Sequence, residues 1–96
     1  MPRLIMTLLT PAQIETELGA VPRWSQQGRS IARTFTFEDF AAAIAFVNKV
    51  ATLAEQAWHH PDIDIRYKVV TLTLTTHDAG GLTSRDFRLA ASIDAL

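Results

Sequence analysis

The chain has no cysteine among its 96 residues. That single absence excludes disulfide scaffolds, zinc ribbons and thiol nucleophiles together. No apolar run reaches the length of a membrane span. Met1 to Leu9 holds one Arg and a short apolar stretch, but no small-residue cleavage pattern follows, so a signal peptide is not expected and the cytoplasm is the expected compartment. An excess of charge is missing too: nine Lys and Arg stand against ten Asp and Glu, a formal net charge of -1. The basic residues are scattered from Arg3 to Arg88. This leaves no footprint for a nucleic-acid partner or an anionic membrane. Internal repeats and low-complexity segments are also absent.

What is present reads as an ordinary globular protein, 48% hydrophobic and 20% charged. The length fits one domain over 1–96, with residues 1–9 as a short arm. Thr10-Pro11 opens a first helix, with Gln13 placed for a capping box and Gly19 as its expected end. Trp24 to Gln26 and Ser30 to Phe37 read as strands around a turn at Gln27-Gly28, with Ile31, Arg33, Phe35 and Phe37 on one face. Thr36 is the expected cap of a long Ala-rich helix over about 38–56, with Asp39 as its capping acid. Phe40, Ala43, Ile44, Val47, Ala51 and Ala54 form one apolar stripe of this helix, and Phe46, Val50 and Leu53 fall on an adjacent face. Either the stripe is wide and covers a sheet, or the second face meets another subunit.

Pro61 ends the helix before it. Ile63 to Arg66 and Val69 to Thr76 alternate as strands rich in β-branched residues, and Gly80-Gly81 marks a turn. Thr83 caps a last helix to about Ala95, with Asp86 three residues in. The order is α-β-β-α-β-β-α. Short links within each strand pair favour antiparallel hairpins, so the expected class is α+β, a four-stranded antiparallel sheet with helices packed on one face.

The chain has three histidines, two of them adjacent. If Tyr67-Lys68 is the turn of the second hairpin, position 59 lies opposite position 76. His59, His60 and His77 then converge at one end of the sheet. Tyr-Lys is not a favoured two-residue loop, and a turn one residue longer slides this register. Imidazole, with an unperturbed pKa of about 6.5, both accepts and donates protons near neutrality. Three of them suit a reaction that moves two protons at nearby atoms. Asp86 on one side and Glu55 on the other are placed to orient or charge-stabilise a histidine. The plainer readings are that His60-Pro61 is only a helix stop, Asp86 only a capping acid and His77 only a strand-end surface residue. A zinc site of three histidines is a further alternative, weakened by the divergent directions of His59 and His60 and by the lack of cysteine.

The stretch from Glu55 to Asp86 carries a specific pattern. Three residues separate Glu55 from His59-His60-Pro61, five more precede Tyr67, nine precede His77 and eight precede Asp86. This spacing resembles the signature of the pterin-4a-carbinolamine dehydratases. The likeness extends over about 10–96 through Trp24, the Phe-rich strand to Phe37 and the long helix.

The resemblance implies a hydro-lyase that converts a 4a-hydroxytetrahydropterin to a quinonoid dihydropterin and water, in support of tetrahydrobiopterin recycling. By carry-over, His59, His60, His77 and Asp86 are catalytic, with Glu55 and Pro61 in support. Trp58, His59, His60, Thr75, Thr76, His77 and Asp78 contact the substrate. No metal and no cofactor are implied, because the pterin is the substrate. A homodimer or homotetramer through the 38–56 helix and sheet edges is also implied. Some members carry an acidic residue before the paired histidines where this chain has Trp58, which either stacks on a ring or packs. The alternative function is a non-catalytic pterin-binding or coactivator-like protein-binding module of the same fold.

Overall fold

A computed structural model describes residues 7–96. Its element order is α1 (Pro11–Ala20), β1 (Ser25–Gln27), β2 (Ser30–Thr36), α2 (Phe40–Ala57), β3 (Asp62–Arg66), β4 (Val69–Leu74) and α3 (Ser84–Asp94), with a 3-10 turn over His77–Ala79. The class is α+β with the expected order of helices and strands. The four strands form one antiparallel sheet in the spatial order β1-β2-β4-β3.

Alternation along the two central strands decides which face is covered. Ile31, Val70, Leu72 and Leu74 are fully buried and share one cluster with Ala43 and Val50 of α2 and Phe87, Leu89, Ala90 and Ile93 of α3. The other face is lined with threonines. Thr34 and Thr71 are directly opposed across β2 and β4, and their hydroxyls meet at 2.9 Å. Such a cross-strand hydroxyl pair suits a face that stays wet.

The two faces of α2 are now distinguished. Phe46, Val47 and Leu53 pack on the chain's own core and Val50 is fully buried. The Phe46 ring lies 4.6 Å from that of Phe35 and 4.9 Å from that of Phe37, centroid to centroid. Phe46, Val50 and Leu53 therefore belong to a wide stripe over the sheet and do not form a second, outward face. Phe40, in contrast, is 51% exposed.

Several boundaries differ from the sequence reading, each for a local reason. The cap of α2 is Asp39, whose carboxylate accepts from Ala42 N–H at 2.7 Å. Thr36 does not cap, because it is still paired with Val69 in the sheet. α1 runs one residue past Gly19, and the chain leaves it at Val21, just before Pro22, a position that disfavours helix. The first hairpin turn is Gly28-Arg29, one residue later than expected, because Gln27 pairs with Ser30. Gly28 takes φ 61, the positive φ that the first position of a tight hairpin loop calls for. β4 ends at Leu74, and beyond it Thr76 keeps a single bridge to Gly81.

Trp24 is structural. It is 3% exposed, and its indole N–H donates to Asp94 at 2.8 Å. The same carboxylate oxygen accepts from Arg33 at 2.6 Å, and the Arg33 guanidinium lies over the Phe35 ring. Of the expected arm, residues 1–6 lie outside the described residues. Leu9 N–H donates to the Leu82 carbonyl at 3.0 Å, so the segment just before α1 lies beside the start of α3.

Candidate functional site

The site begins with the way α2 stops. Trp58 adopts a left-handed conformation, φ 51 and ψ 39. Its N–H returns to the Glu55 carbonyl at 3.3 Å, and His59 N–H reaches the Ala54 carbonyl at 3.1 Å. This pair of bonds is a Schellman closure, normally built on glycine. It turns the chain sharply and delivers His59 and His60 together, before Pro61 leads into β3.

The second hairpin delivers the other half. Arg66 pairs with Val69, so Tyr67-Lys68 is the two-residue loop, with Tyr67 at φ 52. The pairing of Asp62 with Thr73 lies on the same register line as positions 59 and 76. Past the end of β4, Thr75 and Thr76 lead into the 3-10 turn that begins at His77.

Asp86 joins the two halves. It is fully buried at the first turn of α3. Its Oδ2 accepts from Thr83 N–H at 2.9 Å, which closes the helix capping box, and from the Thr76 hydroxyl at 2.9 Å. The Thr76 and Thr83 hydroxyls meet at 2.8 Å. The remaining oxygen, Oδ1, is 2.6 Å from His59 Nε2. An ionised carboxylate can only accept, so opposite ionised Asp86 it is His59 Nε2–H that donates. Asp86 thus serves as cap and as histidine partner at once. Among the described residues no buried side-chain polar atom lacks a partner, so this network is complete.

His60 has a different setting. Its Nε2 is 2.5 Å from Glu55 Oε2, and both side chains are largely exposed. A contact this exposed adds little to stability. The structure therefore gives each of the adjacent histidines a carboxylate, one buried and one wet.

His59, His60 and His77 line a single cleft of about 200 Å³, together with Trp58, Thr75, Thr76, Asp78 and Arg85. Trp58 is 82% exposed beside it. The Thr75 hydroxyl donates to the Arg29 carbonyl at 2.6 Å, and the Thr76 hydroxyl is committed to Asp86. Towards a ligand, Thr75 is left with acceptor capacity on its hydroxyl, and the strand with its backbone groups. A larger cleft of about 300 Å³ lies between α2 and α3 and contains only His59 of the three histidines. The smaller cleft is the one on which all three imidazoles converge.

The pattern of the family described as "Pterin 4 alpha carbinolamine dehydratase" matches residues 7–96. The chain belongs to this family. A relative from Acidobacterium capsulatum, provisionally named as a pterin-4-alpha-carbinolamine dehydratase, is 63% identical over 91 residues, 95% of this chain and 99% of the relative. Another of the same provisional name, from a Roseiflexus species, is 58% identical over 94% of this chain and 97% of its own length. Among solved structures, the Brucella melitensis "transcriptional coactivator/pterin dehydratase" superposes with a TM-score of 0.89 at 33% identity, over 93% of this chain and 97% of that one. A pterin dehydratase-like protein described as a RuBisCO assembly factor in the α-carboxysome is more distant. It has a TM-score of 0.61 at 27% identity and covers 76% of this chain and 84% of its own.

Within this pterin 4 alpha carbinolamine dehydratase family fold, Trp58, His59, His60, Thr75, Thr76, His77 and Asp78 line the cleft and Asp86 and Glu55 lie one hydrogen bond behind it, whereas Pro61 only follows His60 in the chain and Tyr67 sits in the distal hairpin loop. One further residue was missed. Arg85 lines both clefts and holds the end of α2 by its carbonyls. Its reach across the structure is tertiary, and no spacing in the sequence signals it. Among the described residues no three His, Asp or Glu side chains converge closely enough to hold a metal ion. No helix among them is long and apolar enough to cross a membrane.

Proposed function

We propose that this cleft dehydrates a 4a-hydroxytetrahydropterin to the quinonoid dihydropterin and water by histidine acid–base catalysis. The observation that carries the reading is the convergence of three imidazoles on one small cleft, one of them backed by a buried carboxylate. The reaction breaks the bond from C4a to the hydroxyl oxygen and forms a double bond from C4a to N5. One imidazole takes the proton from N5 as another gives a proton to the departing hydroxyl, so water leaves and no net proton is consumed. An acid and a base within reach of the adjacent C4a hydroxyl and N5 are what this chemistry asks for. The Asp86 bond at Nε2 leaves His59 with Nδ1 as its exchanging nitrogen. Trp58, exposed at the rim, offers an aromatic face to the ring. The cleft is smaller than those that hold drug-sized ligands, which suits a single bicyclic ring.

The test is absorbance-followed dehydration of 4a-hydroxytetrahydropterin by wild type, His60→Ala and His77→Ala. Each histidine acting in general acid–base catalysis is expected to cost on the order of 10²- to 10⁴-fold in rate. No acceleration by a folded wild type overturns the reading.

The second reading is a protein-binding module of the same fold. It is favoured by the names of the Brucella melitensis protein and the RuBisCO assembly factor, which assign those proteins such roles. We also infer that the chain forms a homo-oligomer through β3, the terminal strand of the sheet, whose five residues are all exposed.

A further inference from the structure

Two consecutive residues of α3 act on the same residue of the site. Asp86 holds the ring of His59. Arg85 holds its backbone, because the Trp58 carbonyl, which belongs to the peptide bond into His59, accepts from Arg85 Nη2 at 2.6 Å. The same nitrogen reaches the Ala57 carbonyl at 3.2 Å. These carbonyls close α2, where the helix's own amides can no longer reach them.

Trp58 sharpens the point. A bulky residue at φ 51 persists only where its surroundings over-determine it. With 82% of the residue exposed, its side-chain packing does not do this. The hold comes from the backbone, through the two Schellman bonds on one side and Arg85 on the other.

We propose that Arg85 is a positioning residue for the acid–base site. It fixes the peptide plane ahead of His59, and so the angle at which His59 and His60 enter the cleft. It also ties the start of α3, which carries Asp86, to the end of α2, which carries the histidines. This rests on the proton-transfer reading of the cleft. One guanidinium nitrogen, Nη2, serves both carbonyls, on a side chain that stays charged at any working pH.

The full chain is prepared as Arg85→Gln and Arg85→Lys, with folding checked by circular dichroism. Two readouts follow: nitrogen-15 signals of the His59 ring by NMR, and kcat and KM for 4a-hydroxytetrahydropterin dehydration. Arg85→Gln is expected to move the His59 signals and lower kcat roughly tenfold to a hundredfold, as small misplacements of reacting groups do, with a smaller change in KM. Arg85→Lys falls between it and wild type. A folded Arg85→Gln with wild-type His59 signals and wild-type kcat overturns the proposal. If Arg85→Gln does not fold, Arg85→Lys carries the same decision. A wild type without turnover sinks the dehydratase reading instead, and the ring signals then decide the positioning role alone.

Discussion

Asp86 accepts three hydrogen bonds, from Thr83 N–H, the Thr76 hydroxyl and His59, and is fully buried. Replacing it by asparagine keeps the shape but turns one acceptor into a donor. Either the cap and Thr76 or His59 then faces an N–H where it needs an oxygen. Asp86→Asn is expected to destabilise by about 1–3 kcal/mol, the cost of a buried polar group left unmatched, measured by urea unfolding. If the amide turns its N–H to His59, the ring must swap tautomer. A histidine held in the wrong tautomer loses on the order of 10⁴-fold in kcat in the serine-protease case. Dehydration by Asp86→Asn is therefore expected to fall far more than its stability does, whereas a capping role alone predicts the reverse. The capping half of this residue was legible from Thr83 three positions earlier. Its bond to His59 was open as one of two possibilities, because sequence distance does not say which histidine a helix start will meet.

At the scale of the element, the second hairpin carries the register that brings His77 near the paired histidines. Tyr67 occupies its loop at φ 52 and is 66% exposed. The left-handed region costs a residue with a Cβ roughly 1–2 kcal/mol, and asparagine tolerates it better. Tyr67→Asn is expected to raise the midpoint of thermal unfolding by about 2–8 °C, for a gain of about 0.5–1 kcal/mol in a domain of this size, with the cleft unchanged. A lower midpoint sinks the account of strain. The hairpin shows what a sequence can convey. Alternation fixed the strands, and the β-branched run fixed their faces, but the unfavourable Tyr-Lys loop pointed away from the tight turn that forms. Pairing of five residue pairs with β4 outweighs the cost of one strained residue. The same balance moved the start of α2: Thr36 is a good cap by type, but the ladder with Val69 claims it, and the role passes to Asp39.

For the whole molecule, the sheet ends in β3, which pairs on its outer side with no other strand among the described residues. Ile63, Ile65 and Tyr67 are 38%, 37% and 66% exposed along or just past it. Open edges of this kind invite pairing. A second copy laid antiparallel and centred on Ile65 sets Asp64 opposite the partner copy's arginine at position 66, and Ile63 opposite its tyrosine at position 67. The charges and the apolar side chains then match in both directions. Wild type is expected to sediment as a dimer or larger, and Ile65→Lys to shift it towards monomer; sedimentation velocity reads both. A monomeric wild type overturns this arrangement. The assembly is the level at which one chain's sequence says least, because the same apolar residues of α2, half-buried against Phe35, Phe37 and the core, serve the chain's own packing first.

α3 is fastened at both ends. Its first turn is held through Asp86, and its last residue, Asp94, takes the indole N–H of Trp24 and the guanidinium of Arg33 on one oxygen. The helix behaves as a strut between two anchors, one at the cleft and one at the far hairpin. Cutting the chain just before Asp94 removes only the last three residues, yet it strands a buried indole donor and frees the strut to shift along its axis. Damage done there would be felt at the histidines, at the opposite end of the helix, without any residue of the cleft having been touched.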